Sequence, residues 1–172
     1  MQKVRKNLGV ILGTIVGTLF WMNATWAGDL PTAFYSGSVS SNPFLEKCAL
    51  NQANIQFKDE GKGAYSAYWV EEGMWQSPLS GLCNTEYDAR LTPTGRPNEW
   101  NVEFIWNQDL IWGKAVLANG QLLITASYAT SQAFSDFEVK LTFSPDFKRV
   151  DYQRRINPFA GPGFLATGRL FH

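Results

Sequence analysis

The chain has a single histidine, and it is the last residue, His172. A Ser-His-Asp triad or a histidine general base needs an imidazole held inside a site, so neither is expected. Cysteine is nearly as scarce. Cys48 and Cys83 are the only two, and a structural zinc site wants about four ligands, so no metal is expected. Neither sign of charge is in excess, with 15 Lys and Arg against 15 Asp and Glu. Without a basic stripe, nucleic acid is not an expected partner. A phosphate-cradling loop is missing too: "AGPGF" (160–164) has neither the lysine nor the helix that such a loop requires. No cofactor is expected. Internal repeats and long helical periodicities are also absent.

The longest apolar run, Leu8–Met22, falls short of the about 20 residues that span a bilayer. Lys3, Arg5 and Lys6 precede it, and Thr25 and Ala27 follow at the minus-three and minus-one positions of a cut after Ala27. This is the layout of a secretory signal peptide over residues 1–27, leaving one domain over 28–172. The competing reading is a retained anchor, with Gly9, Gly13 and Gly17 on one helix face. Membrane contact would then come only through this segment. Once it is removed, a small acidic excess remains. A secreted or periplasmic chain with an even cysteine pair is expected to join Cys48 to Cys83, the alternative being two unpaired thiols. The closed loop would stabilise the fold by roughly 3–4 kcal/mol in the chain-entropy model.

Period-two alternation, broken by turn residues, recurs along the domain and predicts antiparallel strands. They fall near 33–39, 53–58, 63–71, 85–92, 99–106, 110–117, 121–128, 137–143, 147–156 and 164–171. "DEGKG" (59–63), "TPTGRPN" (92–98), "NQD" (107–109), "ANG" (118–120), "SPD" (144–146) and "NPFAGPG" (157–163) separate several of them. One short helix is expected at 43–50, with Asn42 as cap and Pro43 in its first position. About eight to ten short strands with short links favour a single all-β, up-and-down antiparallel barrel over a Greek-key sandwich.

The most unusual strand is "EWNVEFIW" (99–106). Trp100, Val102, Phe104 and Trp106 share one face. The next strands add Leu110, Trp112 and Val116, then Leu122, Ile124, Ala126 and Tyr128, then Phe137, Val139, Leu141 and Phe143. Fully burying one large apolar side chain is worth about 1.5–3 kcal/mol, so this face is expected to point inward. Such residues either fill a barrel or line a ligand cavity. Trp100, Phe104, Trp106, Trp112 and Tyr128 are the candidate ligand-binding residues. Ile111, Gly113, Ala115 and Leu117 give the 110–117 strand a second apolar side.

Leader, length, meandering strands and one disulfide together resemble the calycin-type barrels, the group of lipocalins, fatty-acid-binding proteins and avidins. Where lipocalins carry Gly-x-Trp on the first strand, this chain has Gly37-Ser38-Val39. Arg169 matches their late arginine, with Tyr35 in place of the tryptophan it packs on. The resemblance implies transport or sequestration of a small, mostly apolar molecule without catalysis.

Two other readings stand beside it. "EWNVE" is similar to the Glu-x-Asp-x-Glu strand of retaining jelly-roll β-glucanases, with Glu99 as nucleophile, Glu103 as acid/base and Asn101 in place of the central aspartate. Alternatively, Glu99, Asn101 and Glu103 are the solvated face of an aromatic strand. The third reading is an envelope or surface interaction module whose packed barrel acts through loops 72–82 and 157–163, with Trp75 exposed. In "FKRVDYQRR" (147–155), Lys148 and Arg154 share a face with Val150 and Tyr152. A solvated strand is the expected explanation, and an anion site the alternative.

Overall fold

The computed structural model describes residues 29–42, 48–75, 81–106, 109–129, 134–158 and 163–172. The expected signal segment therefore lies outside the described residues. Ten strands follow in chain order: β1 (Phe34–Ser41), β2 (Cys48–Gly61), β3 (Ala64–Trp75), β4 (Leu82–Pro93), β5 (Glu99–Trp106), β6 (Asp109–Ala118), β7 (Gln121–Ala129), β8 (Phe134–Phe143), β9 (Arg149–Pro158) and β10 (Phe164–Phe171). Each pairs antiparallel with its sequence neighbours, and β10 returns to pair with β1, closing the barrel. This is the expected up-and-down architecture. Closure gives every strand a partner on both sides over at least part of its length, which removes most of the exposed sheet edge.

Turn chemistry sets one rim. Asn119 and Gly120 both take positive φ, 51° and 73°, as a two-residue hairpin turn demands. The turns at 62–63, 94–98 and 144–148 lie at this same end, as does the segment 29–33. Leu30 is buried there, and Ala33 and Phe147 pack against the core. Tyr35 Oη donates to the Phe147 carbonyl at 2.9 Å, tying β1 to the β8–β9 turn. The five connections at the opposite rim each include residues outside the description. The helix expected at 43–50 falls partly there: 43–47 are not described, and Cys48–Leu50 is strand.

Cys48 and Cys83 are bonded, with Cα atoms 6.0 Å apart. They sit on β2 and β4, with β3 between them. Two strands flanking a third lie about 9–10 Å apart in a regular sheet. The two cysteines approach more closely than that, and β2 carries a register shift between Leu50 and Gln52, close to Cys48. Disulfides of this kind belong to oxidising compartments.

At the β1–β10 seam the backbones approach so closely that side chains are missing. A Cβ on Gly37 would meet the Arg169 carbonyl oxygen at 2.2 Å, and one on Gly168 would meet that of Ser38 at 2.4 Å.

Candidate functional site

Alternation sorts each strand into an inner and an outer side. Tyr65, Ala67, Trp69 and Glu71 of β3 are buried inside, as are Tyr87, Ala89 and Leu91 of β4 and Trp100, Val102 and Phe104 of β5. Bulky rings stand beside alanines at Ala53, Ala67, Ala89, Ala115 and Ala166. This large-and-small pairing fills a small barrel.

The rings meet across the lumen. Trp69 stacks on Tyr87 with centroids 4.7 Å apart, and Phe104 lies 4.9 Å from Phe137. Trp69 also reaches Phe137 of β8, at 6.5 Å. In the closed ring β8 is five strands from β3 in either direction, so this contact crosses the full width of the barrel. Nearer the turn rim, Phe143 touches Tyr35 and Phe57, and Tyr65 packs edge-on to Trp100. Trp100 Nε1 donates to the Gly63 carbonyl at 2.8 Å, so its polar atom is used by the fold.

One layer toward the disulfide, the interior turns polar. Glu71 and Arg154 are both fully buried and form an ion pair. Arg154 Nε donates to Glu71 Oε1 at 2.8 Å, and Tyr152 Oη donates to the same oxygen at 2.5 Å. The guanidinium also lies over the Phe164 ring, 4.3 Å from its centroid. Burial works against the Arg154 cation, but Tyr87, Glu71 and Tyr152 together hold it above the ordinary guanidinium range. The β9 face expected to be solvated is therefore the inner face. Val150, Tyr152 and Ile156 carry Arg154 inside with them. Both charges were readable from parity, since Glu71 follows Trp69 by two residues and Arg154 follows Tyr152 by two. What that reading lacks is the partner for each.

Burial pushes the Tyr35 phenol up to about 12. Burial first, then the Glu71 carboxylate, raises Tyr152 well above the usual phenol range. Both phenols hold their protons more tightly folded than unfolded, where ionisation begins near pH 10. The stability they contribute is fully present below about pH 10 and is lost as pH rises through the folded value of about 12 for Tyr35. The midpoint of thermal unfolding should fall across that window, and fall less in Tyr35→Phe. Equal slopes for the two proteins would remove Tyr35 from the account.

The expected facing of β6 is corrected. Trp112 is 59% exposed, and Leu110 and Val116 are exposed beside it, whereas Ile111, Ala115 and Leu117 are inside. The β5–β6 register decides this: inward Phe104 pairs with Ile111, and outward Glu103 pairs with Trp112. Cross-strand partners share a face, so Trp112 cannot join Phe104. Of the five candidate lining residues, Trp100 and Phe104 are interior and Trp112 is on the outer wall. Trp106 and Tyr128 belong to β5 and β7, and their side chains lie outside the described residues. Arg169 also differs from expectation: it faces outward and donates to Asp151 at 3.1 Å, away from Tyr35.

Glu99, Asn101 and Glu103 lie on the outer side of β5. Glu99 contacts Arg96 at 3.5 Å, and Glu103 stands between Arg90 of β4 and Trp112 of β6 in register. The cleft beside Glu99 is lined by Asp29, Lys62, Tyr65 and Trp100, without Glu103. Trp75 is exposed at the end of β3, near the disulfide.

The outer wall over β6–β9 carries a second shallow cleft of about 440 Å³. Trp112, Lys114, Thr125, Ser127, Asp136, Glu138 and Asn157 line it. Register brings them together: Lys114 pairs with Thr125, Thr125 with Glu138, Ser127 with Asp136, and Asp136 with Asn157. Among the described residues, no group of three His, Cys, Asp or Glu is placed to hold a metal ion.

No protein-family model matches this chain, and no curated protein matches it in sequence. The closed antiparallel meander agrees with the calycin resemblance at the level of fold class.

Proposed function

We propose that this chain is an exported, non-catalytic interaction module, secreted or periplasmic after a cut near Ala27, whose packed barrel presents its outer surface to a partner. The observation that carries the reading is the Trp69–Phe137 contact across the barrel. Rings that meet across a lumen occupy the space that a carried apolar molecule would need. The exposed Trp112, with Ile105, Leu110 and Val116 around it, supplies what the interior then lacks, a surface for recognition.

A second reading keeps the small apolar cargo. Trp69 Nε1 is buried and has no hydrogen-bond partner among the described residues. A lumen guest with an acceptor atom would satisfy it. The glucanase reading has less support, because the cleft beside Glu99 is lined without Glu103.

Native mass spectrometry of the exported protein from its own host, followed by solvent extraction, separates the first two. The expected species has the mass of residues 28–172 with one disulfide and nothing bound. A stoichiometric apolar molecule in the extract would replace the packed-module reading with the cargo reading.

A further inference from the structure

We propose that the outer-wall cleft beside Trp112 is a saccharide-binding site. This deepens the interaction-module reading and rests on it. The site has the two chemistries that a pyranose ring demands. One face of a sugar is a patch of polarised C–H groups, and the electron-rich face of an exposed indole attracts such positive edges. Trp112 offers that face on a strand, where its backbone is held by pairing with β5. The rim of a sugar is a ring of hydroxyls, each both donor and acceptor. Around Trp112 stand matching groups of every kind: the carboxylates of Asp136 and Glu138, the amide of Asn157, the Lys114 ammonium and the Thr125 and Ser127 hydroxyls.

The same groups argue against other occupants. A lipid or an apolar protein patch would strand Lys114, Asp136 and Glu138 without water. A nucleic-acid backbone would meet two carboxylates and one lysine. A neutral or amine-bearing sugar leaves none of these groups uncompensated. Ser127 Oγ donates to Asp136 at 3.0 Å, and Asp136 pairs in register with Asn157, so these three groups lie side by side on the cleft wall.

The exported protein would be titrated by calorimetry with three soluble hexasaccharides: β-1,4-linked glucose, β-1,4-linked N-acetylglucosamine and α-1,4-linked glucose. At least one is expected to bind with a Kd in the micromolar to low millimolar range, as suits a single shallow aromatic site. Trp112→Ala should weaken that binding by about tenfold or more, the order expected for loss of one stacked ring. Glu138→Gln should weaken it less, and Trp75→Ala, at the disulfide rim, should leave it unchanged. All three substitutions are at exposed or half-exposed positions and should leave circular dichroism and melting intact. Failure of all three sugars to bind, or binding indifferent to Trp112→Ala, overturns the saccharide site while leaving the packed barrel in place. Cleavage of a bound sugar overturns the non-catalytic reading instead.

Discussion

Replacing Glu71 by alanine is expected to lower the free energy of unfolding by about 3–5 kcal/mol, one of the two largest effects of any single change in this chain. The substitution leaves Arg154 charged, fully buried and without the carboxylate that pairs with it. It also removes the acceptor of the Tyr152 hydroxyl. A guanidinium cannot shed its proton to escape, so the cost of burying the charge stays in the folded state. Urea denaturation at neutral pH would show the loss as a lower midpoint with an unchanged slope. The double variant Glu71→Leu/Arg154→Met should recover most of that loss, because an apolar pair of similar volume needs no compensation. Recovery distinguishes a cost of unpaired charge from a cost of lost packing. A double variant as weak as Glu71→Ala would mean that the ion pair itself stabilises the barrel.

The second large effect is expected at Trp69. Trp69→Ala should cost about 3–5 kcal/mol, the range for deleting a buried aromatic side chain. The ring contacts Tyr87, Phe104 and Phe137, so its loss opens a hole between three walls of the barrel at once. Trp69→Phe should cost much less. It keeps most of the ring contacts and removes the indole N–H that has no partner among the described residues. If Trp69→Ala proves nearly neutral, the interior is loosely filled at this level, and the packed-module reading loses its main support. The two outcomes are read from the same denaturation curves. Tryptophan fluorescence would report the change of environment independently.

The ten strands were legible because their turns are chemically marked. "DEGKG", "ANG" and "SPD" mark hairpin turns by composition, and alternation between them fixes the strand period. The start of β2 was not legible for the opposite reason. The register shift around Asn51 puts Leu50 and Ala53 on the same inner side, three residues apart, and breaks the period-two signal. The facing of β6 was ambiguous because both of its sides are apolar. Alternation says that Trp112 and Ile111 oppose each other, but not which is inside. Only the pairing of Trp106 with Asp109, across the two-residue link, settles it. The buried charges show a different limit. Glu71 and Arg154 lie 83 residues apart, and no local pattern announces that two charges will meet inside a barrel. The outer cleft was hidden in the same way, since its rows run across four strands.

The seam between β1 and β10 sets the order in which this molecule can be made. His172 reaches back to the Phe34 carbonyl, a contact spanning 138 residues of chain. The ring cannot shut without its last strand, which alone supplies the pairing to β1 that closes it. The other nine strand pairings join neighbours in sequence, so the seam alone depends on the two ends of the domain meeting. Truncation by even one strand would leave a sheet that never becomes a barrel, and removal of β10 should yield aggregate rather than a smaller folded protein.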